Sequence, residues 1–254
     1  MNNKIEFLLK SPFYTFKVDN FLDQKLYKDL QNNFPTLDIY EFEDGKNGKF
    51  FLDSKSENYQ NYLKKNLAMR NLDNFVNDKC FFNFFSKKLY FYFLKSQKNN
   101  MFRFIKYLRP TKKYFGEKKF TDLFFSMVSV NIQYSIMLNG GLIVPHVDSI
   151  RKFLSLMIYF PDINGKSLND NEKIKEKECG TQFWYSNEKN YINQHIDDKK
   201  NFELNAKRIY KSPFIENNLY GFIRNDQSWH SVDSINVNEN YTRKSININF
   251  FYRN

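Results

Sequence analysis

The sequence predicts a mainly β protein with N-terminal helices: a jelly roll of the double-stranded β-helix, cupin-like form, flanked by α-helices. Two changes of pattern carry that expectation. Apolar residues recur at helical spacing through the first half, and from Lys119 onward the period drops to two. The second half then divides into eight short strand candidates, the number a double-sheet jelly roll requires. The expectation is one integrated domain over residues 1–254, with 1–118 a mostly helical support region and 119–254 the jelly-roll core.

The elements follow in chain order. Ser11–Val18 reads as an opening strand. Asp19-Asn20-Phe21-Leu22 then reads as the capped start of a helix that runs towards Pro35. Tyr59, Tyr62, Leu63, Leu67, Leu72 and Phe75 mark a helical stripe within residues 57–75, and the aromatic-rich stretch 78–109 also reads as helical. The strand candidates are Phe124–Tyr134, Leu142–Asp148, Phe153–Phe160, Thr181–Tyr185, Lys207–Tyr210, Leu219–Ile223, Trp229–Val232 and Arg243–Tyr252. Asn139-Gly140-Gly141 makes the first turn. The polar stretch from Pro161 to Lys177 reads as a hairpin loop.

Composition narrows the class. A hydrophobic share of 41% with 29 Phe and 17 Tyr supplies a packed core and argues against disorder. The net charge of +11 suits an anionic partner, although a bias towards Lys, Asn, Ile, Phe and Tyr produces the same excess. Cys80 and Cys179 stand far apart without metal-ligand spacing, which fits a reducing, cytoplasmic compartment. The N-terminal apolar run is too short for a signal peptide, and no stretch approaches the ~18 apolar residues of a membrane span.

Chemistry concentrates in three places. His146-Val147-Asp148 has the His-x-Asp spacing that puts both side chains on one side of a strand. His230 follows Trp229 on a later strand, which a jelly roll returns beside the first. His195, the third histidine of the chain, sits in loop-like surroundings and reads as a surface residue. Two His and one carboxylate on one face of a metal form the facial triad of non-heme Fe(II) sites. The last strand is two-faced, with Arg243, Ser245, Asn247 and Asn249 on one side and Lys244, Ile246, Ile248 and Phe250 on the other. Period alone leaves the polar face either in solvent or lining a cavity. Its start thirteen residues after His230 favours the cavity, where Arg243 with Ser245 could hold a carboxylate.

Over residues 121–254 this set resembles the 2-oxoglutarate/Fe(II)-dependent oxygenase superfamily, nearest its prolyl-4-hydroxylase-like branch. The resemblance implies that His146, Asp148 and His230 bind Fe(II), that Arg243 and Ser245 bind the distal carboxylate of the co-substrate 2-oxoglutarate, and that O2 is the oxidant. It makes Tyr159, late in its strand, a further co-substrate contact. Cys179 stands where the family usually has the first Gly of a Gly-Gly turn. Asp148 points to hydroxylation, since family halogenases carry a small residue there.

The expected function is a dioxygenase that hydroxylates a polar small molecule or a sugar or amino-acid derivative. A peptidyl, prolyl-type hydroxylase is the alternative, and a non-catalytic jelly-roll module binding carbohydrate is the rival from another class. A nucleic-acid partner suits the charge. The demethylase branch, however, carries a second Arg six residues beyond the first, where this chain has Asn249. Residues 87–119 hold eleven Lys or Arg against Glu117 alone, among aromatics. They read as an amphipathic helix packed on the barrel, with homodimer contact as the next reading.

Overall fold

The computed structural model describes residues 4–43, 48–96, 128–161, 168–187 and 199–252. Its strands are β1 (Glu6–Leu9), β2 (Thr15–Val18), β3 (Glu41–Glu43), β4 (Lys49–Asp53), β5 (Val128–Leu138) and β6 (Ile143–His146). They continue as β7 (Lys152–Phe160), β8 (Thr181–Ser186), β9 (Ala206–Lys211), β10 (Leu219–Ile223), β11 (Trp229–Val232) and β12 (Thr242–Tyr252). The helices are α1 (Gln24–Asn32), α2 (Glu57–Lys65), α3 (Leu67–Asn77), α4 (Lys79–Ser96), α5 (Asp170–Lys177) and α6 (Lys199–Asn205).

Two antiparallel sheets form the body. The larger runs β1-β2-β10-β7-β12-β5-β4-β3 and the smaller β6-β11-β8-β9. The eight expected strands are β5 to β12, and they divide four and four between the sheets, as a double-stranded β-helix requires. The N-terminal strands add to both edges of the larger sheet, so the two halves of the chain share one hydrogen-bonded layer. Sequence patterning missed β1, β3 and β4 because each is short and only partly buried where described.

The N-terminal helices α1 to α4 cover one face of the larger sheet. Ile246, Ile248 and Phe250 of β12 are fully buried there, with Phe81 of α4 stacked on Phe250 and Tyr27 of α1 stacked on Phe160. Burying side chains of this size stabilises by roughly 2–3 kcal/mol each before entropy is counted. Where β10 passes between β2 and β7, Gly221 is required: a Cβ there would lie 2.4 Å from the Phe16 ring. Among the described residues no helix is long and apolar enough to cross a membrane.

Several boundaries differ from expectation. The first helix starts after Asp23, whose carboxylate accepts the Lys25 and Leu26 amides, because Asn20 takes a left-handed φ of 47° and turns the chain. The stripe over 57–75 is two helices, broken at Asn66, which ends α2 and caps α3 with its side chain. The stretch expected to be a loop from Pro161 to Lys177 contains α5, set by a reciprocal capping box between Asn169 and Glu172. Residues 97–127, with most of the basic aromatic segment, lie outside the described residues, as does His195.

Candidate metal centre and cavity

The smaller sheet builds the centre from a pair of neighbouring strands. β6 and β11 run antiparallel with His146 directly opposite His230, so their imidazoles share one face and their ring centroids lie 4.2 Å apart. In each ring Nδ1 sits 2.9 Å from the carbonyl oxygen two residues earlier, Val144 for one and Ser228 for the other. A carbonyl only accepts, so Nδ1 carries the proton and Nε2 the lone pair. Phe222 packs against His230 with 4.6 Å between centroids and fixes that ring further.

Asp148 arrives differently from the expected route. β6 ends at His146, and Asp148 lies past the strand rather than on its face. β7 brings it in: Ser155 Oγ donates to Oδ2 at 2.8 Å and Lys152 Nζ to Oδ1 at 2.6 Å. Arg224 Nε donates to the Asp148 carbonyl oxygen at 3.2 Å. Burial pushes the Asp148 carboxyl up, but the Lys152 ammonium, and then the imidazoles when protonated, outweigh it and hold it well below the usual carboxylate range. The ligand atoms offered by His146, Asp148 and His230 all lie within 4.8 Å of one another. Two oriented imidazoles and one ionised carboxylate fit a divalent transition metal, with each ring steadied by a backbone carbonyl as metal-ligating histidines usually are.

The centre opens on a cavity of roughly 380 Å³ between the sheets. Its floor is the polar face of β12: Arg243, Ser245, Asn247 and Asn249 all line it, and their apolar neighbours point to the helices. The geometry therefore selects the cavity over solvent for this face. Arg243 is 3% exposed. Its Nε donates to the Cys179 carbonyl oxygen at 2.6 Å and its Nη1 to Ser245 Oγ at 3.3 Å, with the Tyr159 and Phe214 rings packed against the guanidinium. No carboxylate pairs with it among the described residues. The buried Glu176 carboxylate acts on the same Cys179 and Tyr241 groups as Arg243 but stands beyond ion-pair distance, so the guanidinium keeps N–H donors in reserve.

Tyr159 supports Arg243 from behind. Its hydroxyl bonds Thr181 Oγ1 at 2.9 Å and Ser212 Oγ at 2.8 Å, and its ring rather than its oxygen meets the guanidinium. Burial also raises the Cys179 thiol beside this site, to about 11, with Arg243 opposing the shift. Sequence reading missed Lys152 and Ser155. Ser155 had a signal, a small polar residue in the apolar run Phe153–Phe160; Lys152 had none, because its contact depends on the turn at 149–151. β4 contributes Lys49 and Asp53 to the far wall, where both Asp53 oxygens lie 2.9 Å from Asn131 Nδ2.

The jelly-roll strands β5 to β12, four in each of two facing antiparallel sheets, with a His-x-Asp…His set on one and a buried arginine on the other, decide the architecture. The chain is a double-stranded β-helix that carries a His-x-Asp…His triad.

No protein-family profile and no curated protein matches this β-helix by sequence. Among solved structures it is similar to a Pseudomonas putida prolyl-4-hydroxylase at 11% identity and a TM-score of 0.45, over 96% of this chain and 95% of that one. A viral collagen prolyl hydroxylase from Paramecium bursaria Chlorella virus-1, in complex with 2-oxoglutarate, matches at 10% identity and a TM-score of 0.42, over 97% and 99%. HygX from Streptomyces hygroscopicus, with nickel and 2-oxoglutarate bound, matches at 7% identity and a TM-score of 0.46, over 94% and 82%.

Proposed function

We propose that this protein is a 2-oxoglutarate- and Fe(II)-dependent dioxygenase that hydroxylates a polar small molecule. One observation carries the reading: two imidazoles and a carboxylate converge on the same cavity that a buried arginine lines. A metal site alone would not need that arginine, and an arginine site alone would not need two imidazoles with converging Nε2 atoms.

In this reading His146, Asp148 and His230 hold the metal and leave its remaining positions open. Arg243 takes the distal carboxylate of 2-oxoglutarate through its cavity-facing N–H groups, with the Ser245 hydroxyl beside it. Tyr159 keeps the guanidinium in place through its ring. The sheets and the apolar contacts around Phe222 and Val232 restrict water around these groups. Iron with 2-oxoglutarate, when bound, supplies the activation of O2, with the co-substrate leaving as succinate and carbon dioxide.

The rest of the cavity argues for a polar prime substrate. Asn131, Gln133, Asn247 and Asn249 present amides, and Lys49 and Asp53 contribute one charge of each sign. Such a lining suits a hydroxylated or amine-bearing molecule, such as a sugar or amino-acid derivative, rather than the apolar ring of a prolyl peptide. A non-catalytic carbohydrate module would account for the amides but not for Arg243.

The test is turnover with Fe(II) and ascorbate under air, following O2 uptake and succinate release from 2-oxoglutarate. Succinate above the metal-free control supports the proposal. If the protein neither binds Fe(II) nor consumes 2-oxoglutarate, the carbohydrate-binding reading takes its place.

A further inference from the structure

Asp148 has two oxygens, and the structure treats them differently. Oδ2 lies on the side of the histidines, 3.9 Å from His230 Nε2, and accepts from Ser155. Oδ1 is taken by the Lys152 ammonium at 2.6 Å, in a pair whose side chains are only 17% and 9% exposed. A charge-assisted contact of that length in so sheltered a place is far stronger than a surface ion pair.

Lys152 is itself held to this task. It opens β7, its amide donates to the Ser149 carbonyl oxygen at 3.0 Å, and its ammonium lies 5.8 Å from the centre of the Phe251 ring. The β12–β7 register shifts between Phe250 and Phe251, directly opposite Lys152. Such a bulge re-aims the side chains around it. Lys152 is therefore aimed at Asp148 by its strand and does not reach it as a loose surface lysine would.

We propose that Lys152 is a positioning residue that occupies Asp148 Oδ1, so that the carboxylate offers a divalent cation one oxygen only. This rests on the reading of His146, Asp148 and His230 as a metal centre. Carboxylates bind cations through one oxygen or two. A second oxygen on the metal would close a position that the chelating co-substrate needs. The Lys152 charge also opposes the incoming cation, so the residue gives up metal affinity in exchange for an open coordination sphere.

The two effects give a signature that a merely structural lysine would not produce. In calorimetric titrations of the purified protein with Co(II), Lys152→Met should bind the metal about tenfold more tightly than the unmutated chain. The Co(II)-loaded variant should bind 2-oxoglutarate about tenfold more weakly. Lys152→Arg, which restores a cationic donor, should return both values towards the original. Should Lys152→Met prove unfolded by circular dichroism, Lys152→Gln carries the same titrations. If Co(II) affinity fails to rise, or 2-oxoglutarate affinity fails to fall, the positioning role is overturned. Absence of Co(II) binding to the unmutated protein would instead remove the metal-centre reading, and this role with it.

Discussion

Arg243 Nε donates to the main-chain carbonyl oxygen of Cys179 at 2.6 Å, so the turn ahead of β8 fixes this guanidinium on the cavity floor. The turn can approach this closely because residue 180 is glycine: a Cβ there would stand 1.7 Å from the Ser212 carbonyl oxygen. Removing the arginine therefore separates binding from folding. Arg243→Met should weaken 2-oxoglutarate binding by about 100-fold, the loss expected for a charge-assisted pair of about 2–3 kcal/mol. It should lower thermal stability only modestly, because loss of a buried charge offsets part of the lost bonds to Cys179 and Ser245. Calorimetry and thermal melts read the two quantities.

The three proposed metal ligands should behave as a set. His146→Ala and His230→Ala should each abolish the rise in melting temperature that saturating Co(II) confers on the unmutated protein. Either variant retaining that rise would remove its histidine from the centre.

Ser155 touches the metal-side oxygen of Asp148 without being a ligand. Its replacement by Ala should lower Co(II) affinity by about 10–100-fold, the usual cost of losing an outer partner of a metal ligand. Its direction is opposite to that expected for Lys152→Met, and one series of titrations compares them.

Tyr159→Phe should cost about 1 kcal/mol of stability through its lost bonds to Thr181 and Ser212. The ring against Arg243 is kept, so 2-oxoglutarate affinity should stay within about threefold of the original. A much larger loss of affinity would mean that the hydroxyl, not the ring, serves the co-substrate.

The two thiols should separate by reactivity. Cys80 is exposed and should react with a disulfide reagent in the native protein. Cys179 is buried with its thiol raised to about 11, so near neutral pH it stays protonated and should react only after unfolding. Native and denatured thiol counts distinguish the two.

Much of the site was legible because its signals are local. β10 and β11 have the bounds expected from dense apolar runs closed by polar turns. The alternation of β12 shows its apolar and polar faces, and the structure puts the polar one in the cavity. What stayed hidden depends on partners distant in sequence. β4 is short and only partly buried, and it becomes a strand by pairing with β5, Leu52 against Tyr134. Asp148 was named as a ligand, but its route was misjudged, since Ser155 and Lys152 of the following strand aim it.

The sequence by itself determined the eight strands of the jelly roll, the two-faced pattern of the last one, and which residue types could bind a metal and a carboxylate. Period and composition act within a few residues and need no partner to be read. Only the tertiary structure decided that His146 stands opposite His230, that Arg243 shares their cavity, and that Lys152 holds one oxygen of Asp148. Those are register and packing relationships. They arise when two sheets close on each other, and no local pattern encodes them.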